Sequence, residues 1–141
     1  MKQGKGGCML VFPLKRQWYE KIKSGEKTVE YREVKHYWIR RVFTEIYKYT
    51  ESDFLNFSDC YRNFENFCQI NSIGLVVCSE DNIPGKNIKI ILPCKLRRAY
   101  TSEYLIADIT KIEIMGGTDT DLHINKPVFA FHLKNIKEVK Q

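Results

Sequence analysis

Residues 24–32 read Ser24-Gly25-Glu26-Lys27-Thr28-Val29-Glu30-Tyr31-Arg32. The run before them, ending in Lys21-Ile22-Lys23, is amphipathic, and a glycine directly after it supplies the positive φ on which helices often close. Thr28, Val29 and Tyr31 are β-branched or aromatic and favour a strand. Side chains alternate along a strand, so Thr28, Glu30 and Arg32 share one face and Val29 and Tyr31 the other. A carboxylate and a guanidinium two residues apart on one face are near enough to pair, and Lys27 enters the strand within reach of both. As a solvated surface pair they would add little stability. The alternative is that they are set side by side to meet a ligand.

Working outward, Cys8-Met9-Leu10-Val11-Phe12 is an apolar run ending at a proline and reads as a buried first strand. From Lys15 to Ser24, Trp18 and Ile22 stand four apart with Tyr19 beside them, giving a helix one hydrophobic stripe. Past the motif strand, Glu33–Lys35 form a turn, and Tyr37 to Phe43 begin a second helix on the spacing of Trp38 with Val42 and Ile39 with Phe43. Residues 51–68 carry Phe54, Phe57, Tyr61, Phe64 and Phe67 in steps of three and four, with Asp53, Asp59 and Glu65 between them. That pattern predicts an acidic, aromatic helical insertion at about residues 44–72. Aromatics at this spacing are ordinarily core and are left out of the site.

The second half alternates like β structure. Strands are expected at Ile73–Cys78, at Ile88–Leu92 (halted by Pro93), at Tyr104–Ile109, at Lys111–Ile114 and at Val128–Leu133, with turns at Asn82–Asn87 and Gly116-Gly117. Five short strands and an early helix fit a small barrel, whose closure removes exposed edges. A chain of 141 residues with 43% hydrophobic content is one domain with its own core, preceded by a flexible stretch over residues 1–8.

The first residues lack the apolar core of a signal peptide, and no apolar run approaches the ~20 residues of a membrane span. The five cysteines, Cys8, Cys60, Cys68, Cys78 and Cys94, are odd in number and form no Cys-x-x-Cys pair. They read as reduced, mostly buried thiols, so a cytoplasmic protein is expected. Asp119, Asp121 and His123 would share a face of an extended segment, but a turn after Gly117 accounts for them better, and no metal or cofactor is expected. The net charge of +6 is uneven: residues 1–41 carry +7, residues 42–70 carry −3 and residues 71–141 carry +2. The basic surplus coincides with the motif, which suits a phosphate-bearing partner as well as simple solubility.

The pattern Gly25-x-Lys27-x-x-Glu30-x-Arg32 resembles the signature of the ASCH domain family of the PUA-like superfamily. The likeness runs back through Leu14-Lys15-x-x-Trp18-x-x-x-Ile22-x-Ser24 and forward through Val34-Lys35-x-Tyr37-Trp38-x-Arg40-Arg41. A fainter echo lies at Leu96-Arg97-Arg98-Ala99-Tyr100-Thr101, where relatives tend to carry glycine at the position of Ala99. The resemblance implies an α+β fold: a small PUA-like β-barrel over residues 9–141 with flanking helices and the helical insertion. It implies RNA or modified-nucleoside binding through Lys15, Lys27, Glu30, Arg32, Trp38, Arg41, Arg98 and Tyr100. The cations would meet phosphates, the aromatics would stack on bases and Glu30 would accept hydrogen bonds from a base edge.

Some relatives are ribonucleases or acylcytidine amidohydrolases. In the amidohydrolases the motif lysine is thought catalytic and a threonine stands where this chain has Glu30. Were the chain a hydrolase, Lys27 and Glu30 would be its catalytic pair. A third alternative is a protein-interaction module using residues 50–70.

Overall fold

The helix and strand on either side of Gly25 form where the sequence places them. In the computed structural model, which describes residues 9–50, 73–81 and 90–139, α1 spans Arg16–Ser24 and β2 spans Val29–Glu33. Gly25 sits between them at φ 88°, its N–H donating to the Ile22 carbonyl at 3.1 Å. Ahead of α1 lies β1 (Leu10–Leu14), and after β2 comes α2 (His36–Thr50). β3 (Val76–Ser79), β4 (Leu92–Arg98), β5 (Tyr104–Gly116) and β6 (Pro127–Val139) follow. α2 continues unbroken past residue 44, where the insertion was expected to begin, while residues 51–72 and the turn expected at Asn82–Asn87 lie outside the described residues.

The strands form one mixed sheet of path β1-β4-β5-β6-β2, with β3 also paired to β5. β1 and β4 run parallel; every other pair is antiparallel. The fold is α+β, and the sheet curls into a half-barrel. β5 supplies much of the curl. Expected as two strands, it is one strand of 13 residues whose register shifts between Ile106 and Asp108 and between Ile109 and Lys111. The second bulge falls where the sequence pattern breaks, at Thr110, and it switches the buried positions from Leu105, Ala107 and Ile109 to Ile112 and Ile114.

Two prolines expected to end strands lie inside them instead. Pro13 belongs to β1, an edge strand, and Pro93 precedes the first β1–β4 pair, Leu10 with Cys94. Neither position interrupts a ladder on both sides, which is where strands tolerate proline.

The core fills the concave face. Leu10, Phe12 and Leu14 meet Cys94, Leu96, Phe129, Phe131 and Leu133, and both helices pack onto them. α1 buries Tyr19 and Ile22, whereas Trp18 is only partly covered, so its stripe is rotated by one residue from the expected Trp18–Ile22 line. α2 buries Trp38, Ile39, Val42, Phe43 and Ile46, at helical spacing. No helix among the described residues is long and apolar enough to cross a membrane.

β1 and β2 end the path and do not pair with each other. Two arginines cap the open edge of β1: Arg41 Nη2 donates to the Met9 carbonyl at 3.2 Å and Arg32 Nη2 to the Pro13 carbonyl at 2.9 Å. Guanidinium groups thus occupy an edge that could otherwise pair with another strand.

Candidate functional site

The polar face of β2 points inward. Glu30 pairs in register with Phe131 and Arg32 with Phe129, both fully buried, and opposed residues of a ladder point to the same side. Glu30 is 6% exposed. Of the two alternatives, a solvated pair and an arranged site, the solvated one fails: this face lies against the core between β1 and β2, and its charges are compensated there.

Glu30 stands between two cations. Its Oε2 accepts from Arg32 Nε at 2.9 Å and lies 2.8 Å from Nη2, while its Oε1 lies 3.5 Å from Lys27 Nζ. Lys27 Nζ also donates to the Val29 carbonyl at 2.6 Å and to Asp121 Oδ2, a contact across 94 residues. Each of the three ammonium hydrogens thus has an acceptor nearby. Aromatic rings line the network: Trp18 and Tyr31 lie 5.5 Å and 5.0 Å from Lys27 Nζ, and Phe12 and Trp38 lie 5.3 Å and 5.2 Å from the Arg32 guanidinium carbon. Such contacts favour cations that are largely removed from water.

The expected site residues divide into groups. Lys27, Glu30 and Arg32 come together as one network. Trp38 touches it, but its ring is buried, stacked on Phe12 at 5.2 Å and met edge-on by Tyr37, so it supports Arg32 and offers no free face to a base. Arg41 holds the carbonyl of Met9, the residue before β1, and its guanidinium lies 5.9 Å from the Tyr37 ring centre. Lys15 is exposed, and its carbonyl accepts the Trp18 and Tyr19 N–H groups at the start of α1. Arg98 and Tyr100 lie apart from the network at the β4–β5 turn, which the Ala99 N–H ties to the Leu14 carbonyl at 2.9 Å. Arg98 is paired there with Glu103 at 3.1 Å.

Asp121 was missed as a partner of Lys27. It rides on the turn that follows β5, where Gly117–Asp119 form a short 3-10 helix and Thr120 Oγ1 donates to the Gly117 carbonyl. No group of three or more metal-ligating side chains occurs among the described residues. Tyr31 is a second addition. Its own burial, and then the carboxylates of Asp121, Glu113 and Glu30, hold its phenol above the ordinary value, so it remains a neutral donor beside Lys27. Outward on the same sheet, His132 Nε2 lies 2.6 Å from Glu113 Oε2.

The thiols of Cys78 and Cys94 are buried, and burial pushes both up to about 12. Comparison with known proteins gives no match to a family model, to a curated protein or to a solved structure.

Proposed function

We propose that this chain is a PUA-like module of ASCH type that binds RNA or a modified nucleoside at the rim where β1 and β2 face each other. The observation carrying the reading is the placement of Glu30, a buried carboxylate held between Lys27 and Arg32 where the two edges of the curled sheet meet. A buried ion triad adds little net stability over apolar residues of similar volume, so stability is a poor account of it. A fixed acceptor flanked by cations suits a nucleoside edge with a phosphate nearby. Arg32 keeps a fifth of its side chain exposed, which leaves it open to a ligand arriving at the rim.

Binding is preferred to hydrolysis on the setting of Lys27. Its Nζ donates to the Val29 carbonyl and to Asp121 and lies 3.5 Å from Glu30 Oε1, an anchored cation of the kind that holds a phosphate. Titration of a short single-stranded RNA at low and moderate salt, with wild type and Lys27→Ala, tests the reading. Affinity that falls with salt and with the substitution, with the RNA recovered intact, is the expected result. Cleaved RNA or hydrolysed acylcytidine that vanishes with Lys27→Ala would make the chain a hydrolase instead. Absence of both binding and turnover would sink both readings.

A further inference from the structure

Pro13, whose carbonyl holds Arg32, also borders a second surface. An open groove of about 800 Å³ runs over the outer face of β4, lined by Pro13, Lys95, Arg97, Tyr100 and Tyr104 with parts of the β4–β5 turn. Its volume lies within the range of ligand pockets, and no acidic residue lines it.

The charge here differs from that of the network. Lys27, Arg32 and Arg98 each have a carboxylate within ion-pair distance. Arg97 is exposed and forms no ion pair or hydrogen bond with any described residue. Lys95 likewise has no acidic partner among them, and its Nζ lies 4.3 Å from the centre of the Tyr104 ring. Both cations project from the face opposite the buried Cys94 and Leu96. They are available to phosphate without displacing anything.

Tyr100 adds a stacking platform in an unusual state. Its ring is fully exposed although its backbone is left-handed, at φ 65°. That conformation is costly for any residue with a Cβ, and no burial of the ring offsets it; glycine would avoid it. The turn holding it is well fixed. Thr101 donates from N–H and Oγ1 to the Arg98 carbonyl, Arg98 N–H donates to the Glu103 carbonyl, and Ala99 is tied to β1. A costly backbone that presents a bare aromatic ring at a groove with two unpaired cations is a feature to be read as function.

We infer that this groove holds the strand of the RNA: Tyr100 stacks on one unpaired base, and Arg97 and Lys95 neutralise adjacent phosphates. The inference rests on the RNA-binding reading; to Tyr100, which the resemblance already implied, it adds the groove with Arg97 and Lys95 and the single-stranded substrate. Only an unpaired base has a free face for the ring, so the substrate class is single-stranded.

Tyr100→Gly is the decisive variant, because glycine suits the backbone at that position and lost binding cannot be ascribed to a strained turn. Affinity for a fluorescein-labelled single-stranded oligoadenylate is measured for wild type, Tyr100→Gly, Tyr100→Phe, Arg97→Ala and Lys27→Ala over a range of salt. Tyr100→Gly is expected to weaken binding by about 5- to 150-fold, the effect of losing one stacked base. Its thermal midpoint should be no lower than that of wild type, and Tyr100→Phe should bind nearly normally. Arg97→Ala should reduce the slope of log affinity against log salt by about 0.7. RNA binding that Tyr100→Gly and Arg97→Ala leave unchanged, while Lys27→Ala abolishes it, would overturn the groove and leave the broader reading standing. No binding by wild type even at low salt would overturn both.

Discussion

The Arg32 guanidinium reaches the Pro13 carbonyl at 2.9 Å across the gap between the two ends of the sheet. The same group holds Glu30, so one side chain both caps the open edge of β1 and compensates a buried carboxylate. Removing it leaves Glu30 buried with only the longer Lys27 contact. Arg32→Ala should therefore destabilise the fold by about 2–3 kcal/mol, below the full cost of breaking a buried pair because Arg32 is partly exposed. Adding Glu30→Gln should recover a large part of that loss, since the uncompensated charge goes with it. Urea unfolding of the two single variants and the double variant gives the coupling; a cost for Arg32→Ala within about 0.5 kcal/mol would mean that the pair behaves as a surface one.

Much of this arrangement was legible in the sequence. The Gly25 turn, α1, the motif strand and the start of α2 follow from local chemistry: a residue free to take positive φ, a 3.6-residue stripe and a β-branched run. Alternation also grouped Glu30 with Arg32. It could not tell which face of β2 is inside, because that is decided by Phe129 and Phe131, about a hundred residues later in the chain. Local chemistry leaves a solvated pair and a ligand site equally open, and only the register with β6 puts Glu30 and Arg32 on the core side.

Asp121 was invisible as a partner of Lys27 for the same reason, since the contact depends on how the turn after β5 folds back. Arg97 stands in the sequence echo at residues 96–101, but its place on the outer face follows only from the strand: Lys95 and Arg97 alternate with the buried Cys94 and Leu96 because β4 runs on past Pro93.

Two glycines make contrasting predictions. A Cβ at Gly25 would meet nothing within 4 Å, so Gly25→Ala carries only the cost of a left-handed backbone, about 1–2 kcal/mol. At Gly117 a Cβ would lie 2.7 Å from the Ile124 carbonyl oxygen and 2.8 Å from that of Lys126, and both belong to the backbone. Gly117→Ala must displace the turn that carries Asp121 and should cost more than Gly25→Ala. Denaturation of the two variants side by side checks the order, and equal costs would show that the turn yields freely.

Alkaline pH should destabilise the fold. Burial pushes the Cys78 and Cys94 thiols from 9.0 up to about 12. Tyr19 and Tyr31 are also raised, chiefly by burial. In each case the folded state keeps a proton that the unfolded chain releases. Stability is therefore intact below about pH 9 and falls as pH rises toward 12, by up to ~1.4 kcal/mol per pH unit for each thiol. Unfolding curves between pH 8 and pH 11, taken as order-of-magnitude limits of that window, should show the decline. Replacing Cys78 and Cys94 by alanine should flatten it. In the native state at pH 8 (well below the raised values) neither thiol should react with a disulfide reagent; rapid labelling there would contradict the burial.

Asp121 and a bound phosphate compete for the same ammonium if RNA binds at the rim. The Asp121 carboxylate is a third exposed, so its pair with Lys27 should contribute no more than about 1 kcal/mol to stability. Asp121→Asn keeps the shape of the turn, removes the competing charge and frees one Lys27 donor for the ligand. Affinity for a short single-stranded RNA should rise about three- to tenfold, which corresponds to ~1 kcal/mol of relieved competition. A general gain in positive charge would also strengthen binding, so Asp119→Asn is the control. It removes the same charge two residues away, from an exposed side chain that forms no ion pair with any described residue. An effect confined to Asp121→Asn locates the anion at Lys27. Equal gains from both variants would mean that the turn acts only through its overall charge, and a loss of affinity with Asp121→Asn would mean that Asp121 orients Lys27 for the ligand instead of competing with it.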